Sequence, residues 1–246
     1  MTRCRPDDVE FTCDCVSPML EFLSENPEVG MVGPQMLTVD GNVSRSTMRF
    51  PTVWNQFSRS LGLDILFKKS RFFGGLLMAE FDHKSTVPVE VLNGWFVIVR
   101  RTAMEQVGLL DPQFFMYGED MDWCYRFHRA AQKTVFFADT GAIHYGGASS
   151  SNAPLRFYVE MFRANWQYWR KHRGWLAQRA FLASSVTYHL VRLAGSVVLY
   201  ITSPSKRADN LAKLRRSFLC LKGMSQPSAI QSKPAYPVDT RISSEA

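Results

Sequence analysis

The stretch VPVEVLNGWFVIVRR, residues 87–101, is an almost continuous run of β-branched and aromatic side chains. Such a run predicts a strand that is buried on both faces. A short helix is predicted directly after it, because Thr102 and Glu105 have the spacing of a capping box and Gly108 can end the helix. A helix over residues 119–132 and two short strands, TVFFA and AIHYG, follow. Strands and helices therefore alternate, which favours an α/β or an α+β domain.

The part of the chain before this run also alternates. Residues 16–26 predict a short helix, and residues 28–37 predict a strand. The Asp40–Gly41 pair then predicts a turn into a second extended segment, as in a hairpin. Residues 52–85 are apolar without a clear period, and we expect a mobile loop with short helices there.

Composition limits the class of protein. The chain has 246 residues, of which 46% are apolar and 21% charged, so it is long and apolar enough to bury a sizeable core. Its five cysteines are an odd number without metal-site spacing, which favours a reducing compartment over a disulfide framework. The first residues, MTRCRPDDVEF, contain no apolar run, so we expect no signal peptide.

The C-terminal region predicts three helices. Residues 155–175 have apolar side chains at helical spacing and a basic opposite face. Residues 180–202 are largely apolar, but His189 and Arg192 shorten the uncharged run, so we expect a helix lying in a membrane interface rather than crossing it. A basic helix is predicted over residues 205–222.

These patterns divide the chain into three parts. We expect a folded α/β domain over residues 1–150, because a serine-rich segment ends there. A basic amphipathic helical region follows over residues 151–223. The last part, residues 224–246, is polar and rich in proline and serine, and it predicts disorder.

The positive charge of the protein is concentrated in one region. The net charge is +7, and residues 156–223 contain thirteen lysines and arginines but only two acidic residues. This region is the part expected to contact an anionic partner, either a membrane or a nucleic acid. Its segment WQYWRKHRGW, residues 166–175, mixes aromatic and basic side chains, which suits either single-stranded nucleic acid or a membrane interface. The amphipathic pattern favours the membrane, and we expect no nucleic acid partner.

The acidic residues are concentrated in FFMYGEDMDW, residues 114–123. Glu119, Asp120 and Asp122 could be no more than favourable residues at a helix N-terminus. Three neighbouring like charges repel one another, however, and the apolar residues before them could form the wall of a ligand pocket. A carboxylate at this position could act as a general base.

Residues 93–150 resemble the second half of a family 2 glycosyltransferase domain of the GT-A type, in its rhamnosyltransferase-like branch. The residues that carry the resemblance keep the family's order and spacing and are Gly94, Arg100–Arg101, Gly108, Asp111, Phe114–Phe115, Tyr117, Glu119–Asp120, Asp122, Arg126, His144, Gly147 and Ser149. The upstream segment 25–52 is similar to the same branch. The resemblance extends over about residues 5–175 and implies an incomplete, Rossmann-like GT-A domain with a basic C-terminal helical extension.

The resemblance implies a site and a reaction. A sugar would pass from a nucleotide-sugar donor to an acceptor hydroxyl with inversion, in the assembly of a bacterial polysaccharide, such as the cell wall, or of a glycolipid. Asp120 would be the general base, and Arg126 would contact the diphosphate or pair with Asp122. The residues expected to bind a lipid-linked or polysaccharide acceptor are Asn93, Gly94, Trp95, Tyr117, Glu119 and Asp122.

The resemblance also implies a divalent cation, Mg²⁺ or Mn²⁺, bound by Asp8 and His144. His144 could equally be a histidine that ends a buried strand, and Asp8 could be a solvated residue of a frayed terminus. The segment around Asp8 departs from the family pattern, since Pro6 replaces an asparagine and Cys13 a proline. The family's nucleotide-binding half is expected before residue 8.

Two expectations follow for the whole protein. The first is an enzyme, truncated at its N-terminus, that is cytoplasmic and peripheral to the inner face of the cytoplasmic membrane. The alternative is a catalytically inactive truncated fragment that binds only the acceptor or the membrane. The donor sugar is expected to be selected mainly by the nucleotide-binding half.

Overall fold

The computed structural model describes residues 9–11, 13–114, 116–145 and 154–224. Asp8, the predicted boundary near residue 150 and residues 225–246 of the predicted tail lie outside these ranges. Met224, the first residue of that predicted tail, is the last residue of a helix. The strands are β1 (Val9–Phe11), β2 (Val29–Leu37), β3 (Val43–Ser44), β4 (Thr47–Met48), β5 (Val87–Val89), β6 (Val91–Leu92), β7 (Ile98–Val99) and β8 (Lys133–His144). The helices are α1 (Val16–Glu25), α2 (Val53–Ser60), α3 (Leu63–Leu66), α4 (Arg101–Val107), α5 (Glu119–Arg129), α6 (Pro154–His172), α7 (Gly174–Thr202) and α8 (Arg207–Met224), with 3₁₀ turns at Gly75–Leu77 and Pro204–Lys206.

A mixed sheet forms the centre of the described part of the chain. The strands β2 and β8 pair in parallel, with Val32 opposite Val135. On the outer edge of β8 lie β1 and β5, and on the outer edge of β2 lie β3 and β7, all antiparallel to their neighbours. The predicted α/β fold class is confirmed, and it is compatible with a Rossmann-like glycosyltransferase domain.

Both faces of the sheet are covered, which explains its near-continuous apolar strands. Side chains alternate along β2 and β8, so that Met31 and Phe136 face one side and Val32 and Val135 face the other. Helix α1 covers the second side. Helices α5 and α6 cover the first, and buried residues of α6 and α7 belong to the same apolar core.

Helix α5 packs unusually close to β2. A Cβ atom added to Gly30 would lie 2.8 Å from the ring of Phe127, which is fully buried. Only glycine therefore permits this distance between helix and strand. The contact matters for the site because α5 carries the predicted catalytic residues.

The apolar run at residues 87–101 is not one strand, and the prediction of a single buried strand is wrong. It is divided into β5, which pairs with β8, β6, which pairs with β4, and β7, which pairs with β2. The chain changes partner at Glu90, whose carboxylate accepts the N–H of Phe50 at 2.5 Å, and again at residues 93–97. The second change exposes a loop beside the N-terminus of α5.

Three other predictions have definite outcomes. The hairpin at Asp40–Gly41 is confirmed, with β2 and β3 as its strands. TVFFA and AIHYG were predicted as two strands, but residues 133–144 form the single strand β8. Residues 52–85 contain α2, α3 and a 3₁₀ turn, as expected for short helices.

Candidate active site

The candidate site is built on the turn that precedes α5. Tyr117 and Gly118 both have positive φ angles, 65° and 84°. For Tyr117 this conformation costs on the order of 1–3 kcal/mol, so the surrounding packing must hold it. Gly118 lies against α6, where an added Cβ would be 3.1 Å from the Cβ of Ala164. The two left-handed residues turn the chain sharply, and they direct Asp120 towards the loop at residues 93–97.

Asp120 is held by backbone donors. Its Oδ2 accepts the N–H of Gly94 at 3.1 Å, and its Oδ1 accepts the N–H of Met121 at 2.7 Å. An added Cβ on Gly94 would lie 3.2 Å from the Cβ of Asp120, so a larger residue would crowd the carboxylate. The helix N-terminus also favours a negative charge here. The side chain is therefore fixed in position and partly open to solvent.

Asp120 and Glu119 are a pair of carboxylates with raised pKa values. Burial raises the pKa of Asp120, and the hydrogen bonds from Gly94 and Met121 oppose the rise. Burial, followed by the charge of Asp120, raises the pKa of Glu119 to about 7. The Oε2 atom of Glu119 is buried without a hydrogen-bond partner among the described residues. A proton acceptor and a neighbour that titrates near neutral pH therefore lie side by side.

The loop at residues 93–97 carries further predicted residues, and Gly94 is its contact with Asp120. The N–H of Asn93 donates to the carbonyl of Ser46 at 2.8 Å, which ties the loop to the start of β4. Trp95 stacks on His144, with ring centroids 5.5 Å apart and an angle of 28° between the planes. The structure thus joins Gly94 to Asp120 and Trp95 to His144 through one short loop.

Asp122 lies on the opposite side of the same helical turn, away from this loop. It is fully buried, and it binds Arg126 Nε at 2.9 Å, Lys171 Nζ at 2.7 Å and His172 Nε2 at 2.7 Å. Burial alone would raise the pKa of Asp122, but the hydrogen bonds from His172 and Lys171 and the nearby positive charges outweigh it and lower that pKa. These contacts do not support the predicted acceptor role. They make Asp122 the centre of an ion cluster that joins α5 to the end of α6.

Arg126 is likewise engaged by the protein. Besides Asp122, its guanidinium donates to the carbonyls of Val107 at 2.6 Å and Leu109 at 2.8 Å. These carbonyls lie at the C-terminal end of α4, where backbone acceptors need partners. Of the two predicted roles, the structure therefore favours the pairing with Asp122 over contact with a diphosphate.

The apolar residues before α5 were predicted to form a pocket wall. Phe114 is instead buried in the core, 6% exposed, with Lys171 Nζ 5.7 Å from the centre of its ring. The prediction is wrong for Phe114 because α6 covers it. Tyr117 is only half-buried and stays a candidate for acceptor contact.

The resemblance implies a cation site with Asp8 and His144 as ligands. Residues 9–11, 13–114, 116–145 and 154–224 contain no group of three or more His, Cys, Asp or Glu side chains placed to hold a metal ion. His144 ends β8, where it is opposite Val9 in the strand register. Asp8 lies outside the described residues. The described part of the chain therefore does not form a complete cation site, and its predicted ligands stay a prediction.

The basic region combines core and surface residues. Tyr168 and Trp169 are buried in the core, so the prediction that residues 166–175 serve as interfacial anchors is wrong for these two side chains. Trp175 is 70% exposed. Helix α7 is long and apolar enough to cross a membrane, as judged by length and composition alone. Of its most apolar stretch of 18 residues, 17% is buried. The helix predicted over residues 180–202 therefore begins six residues earlier, at Gly174, and it meets the length and composition of a membrane span.

Lys171 and His172 are site-supporting residues that the sequence did not reveal. They were grouped with the other cations of residues 166–175, but both bind Asp122, and Lys171 also binds Asp111 at 2.6 Å. Asp111 and Asp122 are part of the motif that carries the resemblance. The only sequence signal was the count of acidic residues, since three are more than a helix cap requires.

The comparisons with known proteins found distant relatives. The chain is 25% identical over 169 residues to an N-acetylglucosaminyl-diphospho-decaprenol L-rhamnosyltransferase from Mycobacterium tuberculosis, in the strains CDC 1551/Oshkosh and H37Rv. The aligned part covers 68% of this chain and 54% of each relative, so the chain spans about half the length of the curated relatives it matches. No family model matches the sequence. The chain is thus similar to part of a glycosyltransferase.

Proposed function

We propose that this protein provides the acceptor side of an inverting glycosyltransferase, in which Asp120 is the general base. The reaction would transfer a sugar from a nucleotide-sugar to a hydroxyl of a lipid-linked or polysaccharide acceptor. The observation that carries the proposal is the fixed position of the Asp120 carboxylate, between the Gly94 N–H and the N-terminus of α5. The distant similarity to a rhamnosyltransferase supports the same class of reaction.

The proposed chemistry balances as one displacement. The acceptor hydroxyl donates its proton to the Asp120 carboxylate while its oxygen bonds to the anomeric carbon of the sugar. The bond from that carbon to the diphosphate oxygen breaks, and the nucleoside diphosphate leaves. Attack opposite to the leaving group inverts the anomeric configuration. A positioned base of this kind contributes about 10²–10⁴-fold in rate.

Each remaining residue of the site has a proposed task. Trp95 offers an aromatic face for a sugar ring, and Asn93 and Tyr117 offer polar atoms beside it. Glu119 faces the acceptor side as a carboxyl that changes charge near neutral pH. A divalent cation, Mg²⁺ or Mn²⁺, would supply electrostatic stabilisation of the departing diphosphate, and His144 and Asp8 are its proposed ligands.

The relative's name specifies an acceptor in which N-acetylglucosamine is linked through a diphosphate to decaprenol. We propose an acceptor of the same kind, and a role in bacterial cell-wall or other surface polysaccharide assembly. We also propose that the protein is cytoplasmic and lies on the inner face of the membrane. The basic residues 156–223 and the exposed apolar surface of α7 support that location.

The test is sugar transfer by an Asp120→Asn variant. Asparagine keeps the shape and the hydrogen bond from Gly94 but cannot accept the proton at neutral pH. We expect the turnover number to fall by about 10²–10⁴-fold, with little change in acceptor binding. The assay follows labelled sugar from a panel of nucleotide-sugars to N-acetylglucosaminyl-diphospho-prenol, using the chain together with any in-frame coding sequence upstream of it.

Asp40→Asn is the matched control, because Asp40 is an exposed carboxylate in the β2–β3 hairpin. It should transfer sugar at the wild-type rate. Near-normal turnover by the Asp120→Asn variant would remove Asp120 as the base. Acceptor binding by wild type without transfer from any donor would favour the alternative, an inactive protein that only binds its acceptor.

A further inference from the structure

A groove lies between α2 and α7, outside the site around Asp120. Its volume is about 570 Å³. Its α2 wall is formed by large apolar side chains that are all more than 40% exposed, Val53, Trp54 and Phe57. Its α7 wall is formed by small residues, Ala180, Ala183, Ser184 and Thr187. Because one wall is large and apolar and the other is small, the groove stays open.

The polar groups of the groove lining need no hydrogen bonds from a ligand. The hydroxyl of Ser184 donates to the carbonyl of Phe181 at 2.9 Å, and that of Thr187 donates to the carbonyl of Ala183 at 3.0 Å. Both lining hydroxyls are therefore satisfied within α7. The lining presents methyl groups and aromatic rings, which favour an apolar occupant.

The aromatic wall is preformed. The indole N–H of Trp54 donates to the carbonyl of Phe72 at 2.9 Å, and its ring packs on that of Phe72 with centroids 4.8 Å apart. Helix α2 begins in a capping box between Thr52 and Asn55, which fixes the backbone below the ring. An apolar chain would thus meet a wall that is already ordered, at a low entropic cost.

The groove lies beyond the far end of the helix that carries Asp120. The ring of Phe50, two residues before the cap of α2, contacts Tyr125 and His128 on α5 at centroid distances of 5.0 and 5.4 Å. Eight residues of helix separate Asp120 from His128, or about 12 Å. A hexose followed by a diphosphate bridges a comparable distance.

Positive charges lie at the end of the groove that is nearer to α5, where the diphosphate of such a ligand would lie. Helix α7 begins beside α5, where the guanidinium of Arg173 lies 5.0 Å from the ring centre of Tyr125. Arg179 is exposed one turn before Ala183 and therefore lies on the same face of α7 as the groove lining. The end of the groove that is nearer to α5 thus carries positive charge, and the other end continues into exposed apolar residues of α7 such as Val191 and Val198.

From these observations we infer that the groove between α2 and α7 binds the isoprenoid chain of a prenyl diphosphate-linked acceptor. Its diphosphate lies towards Arg179 and its sugar towards Asp120. This inference rests on the proposed function for the identity of the acceptor. The chain enters from the exposed apolar side, and the first isoprene units occupy the groove.

The test is equilibrium binding of farnesyl diphosphate, measured by calorimetry below its micelle concentration. Wild type should bind farnesyl diphosphate at least about tenfold more tightly than inorganic diphosphate, since the groove contacts more than two methylene equivalents. Ala183→Phe fills the groove from its small wall and should weaken farnesyl diphosphate binding about tenfold, without changing the binding of inorganic diphosphate. Circular dichroism checks that the variant is folded.

Ala212→Phe is the matched control, because Ala212 is exposed on the neighbouring helix α8 and does not line the groove. It should bind farnesyl diphosphate as wild type does. Wild-type binding by the Ala183→Phe variant, or an equal loss in both variants, would overturn the inference. The inference would also be overturned if Ala183→Phe weakened binding to phosphatidylglycerol vesicles as much as it weakens binding to farnesyl diphosphate. The groove would then be a contact with the bilayer.

The binding arm needs no sugar transfer, so the two proposals fail separately. Farnesyl diphosphate binding that depends on the groove, in a protein that transfers no sugar, would reject the proposed reaction and keep the prenyl site. Sugar transfer to a prenyl-linked acceptor with the same KM in wild type and in the Ala183→Phe variant would reject the prenyl site and keep the reaction.

Discussion

At the scale of single residues, the site depends on the carboxylate of Asp120, which accepts hydrogen bonds from backbone N–H groups. Asp120 is bonded by the N–H groups of Gly94 and Met121 rather than by a cationic side chain. A carboxylate held in this way keeps its lone pairs directed and is not neutralised by an ion pair. That distinguishes it from Asp122, two residues later, which is surrounded by cations.

Glu119 gives a prediction at this scale. Folding raises the pKa of Glu119, which means that its ionised form is disfavoured in the folded protein. The free energy of unfolding therefore decreases as the pH rises from the ordinary pKa of 4.5 to about 7. Glu119→Gln removes that decrease. The gain in stability of the variant over wild type should be below about 1 kcal/mol at pH 5 and should rise to at most about 3 kcal/mol at pH 8. Urea unfolding at the two pH values measures the difference.

The control for Glu119 is Glu105→Gln, because Glu105 has an exposed side chain on α4. Its effect on stability should be small and the same at both pH values. If Glu119→Gln also shows no pH-dependent gain, Glu119 is ionised in the folded protein at little cost, and it would not be the neighbour that titrates near neutral pH.

At the scale of elements, α5 connects the site to the rest of the molecule. Its first turn directs Asp120 and Asp122 to opposite sides of the helix, as the helical period requires for residues two positions apart. The Asp122 side is bound to the end of α6, and Phe127 packs over Gly30 of β2. The position of the catalytic candidate thus depends on a sheet contact and on an ion cluster that does not face the ligand.

The ion cluster gives a prediction at this scale. Asp122→Asn removes the buried counter-charge of Arg126 and one of the two carboxylates that bind Lys171, and it should lower the free energy of unfolding by about 3–5 kcal/mol. The folded pKa of Asp122 is below its ordinary value of 3.8, so its stabilisation is complete above that pH and is lost as the pH falls further. The difference from wild type should therefore shrink below about pH 4. Thermal unfolding between pH 3 and pH 7 measures it.

The exposed Asp40→Asn variant is again the control and should unfold as wild type does. A loss of less than about 1 kcal/mol on Asp122→Asn would show that the cluster is not a structural tie. In that case the predicted acceptor role of Asp122 would have to be considered again.

At the scale of the whole molecule, the basic charge and the exposed apolar surface lie in the same C-terminal helices. Residues 156–223 carry thirteen of the 29 basic residues of the chain. Helix α7 exposes apolar side chains over most of its length, including Leu190, Val198 and Ile201. A surface with both properties is suited to the anionic face of a bilayer.

This surface gives a prediction for the whole molecule. The protein should sediment with vesicles that contain phosphatidylglycerol, and less with neutral phosphatidylcholine vesicles. Raising the salt concentration from about 0.1 to 1 M shortens the screening length from about 10 to 3 Å and should release a peripherally bound protein. Retention of the protein in high salt would instead indicate that α7 inserts, and salt-sensitive binding to oligonucleotides but not to vesicles would favour a nucleic acid partner.

The sequence predicted the local elements well where the pattern and the turn residues agreed. The hairpin at Asp40–Gly41 and the start of α5 at Glu119 are examples, because turn chemistry and helix-terminal charge act over a few residues. The end of α5 was placed three residues too late. The helix ends at Arg129, because the chain turns towards β8 at Ala131, which has a φ of 58°. A glycine would have indicated such a turn in the sequence, but this position is an alanine.

The sequence by itself determined the α/β class, the acidic motif on a helix N-terminus and the basic, apolar character of the C-terminal helices. These follow from period, capping and composition, which are local properties of a chain. Only the tertiary structure decided that Asp120 accepts a hydrogen bond from Gly94 and that Asp122 pairs with Lys171 and His172. It also decided that residues 87–101 divide among three strand partners. Those outcomes depend on which distant segments pack together, and the burial and charge that separate a candidate base from a structural carboxylate exist only after that packing.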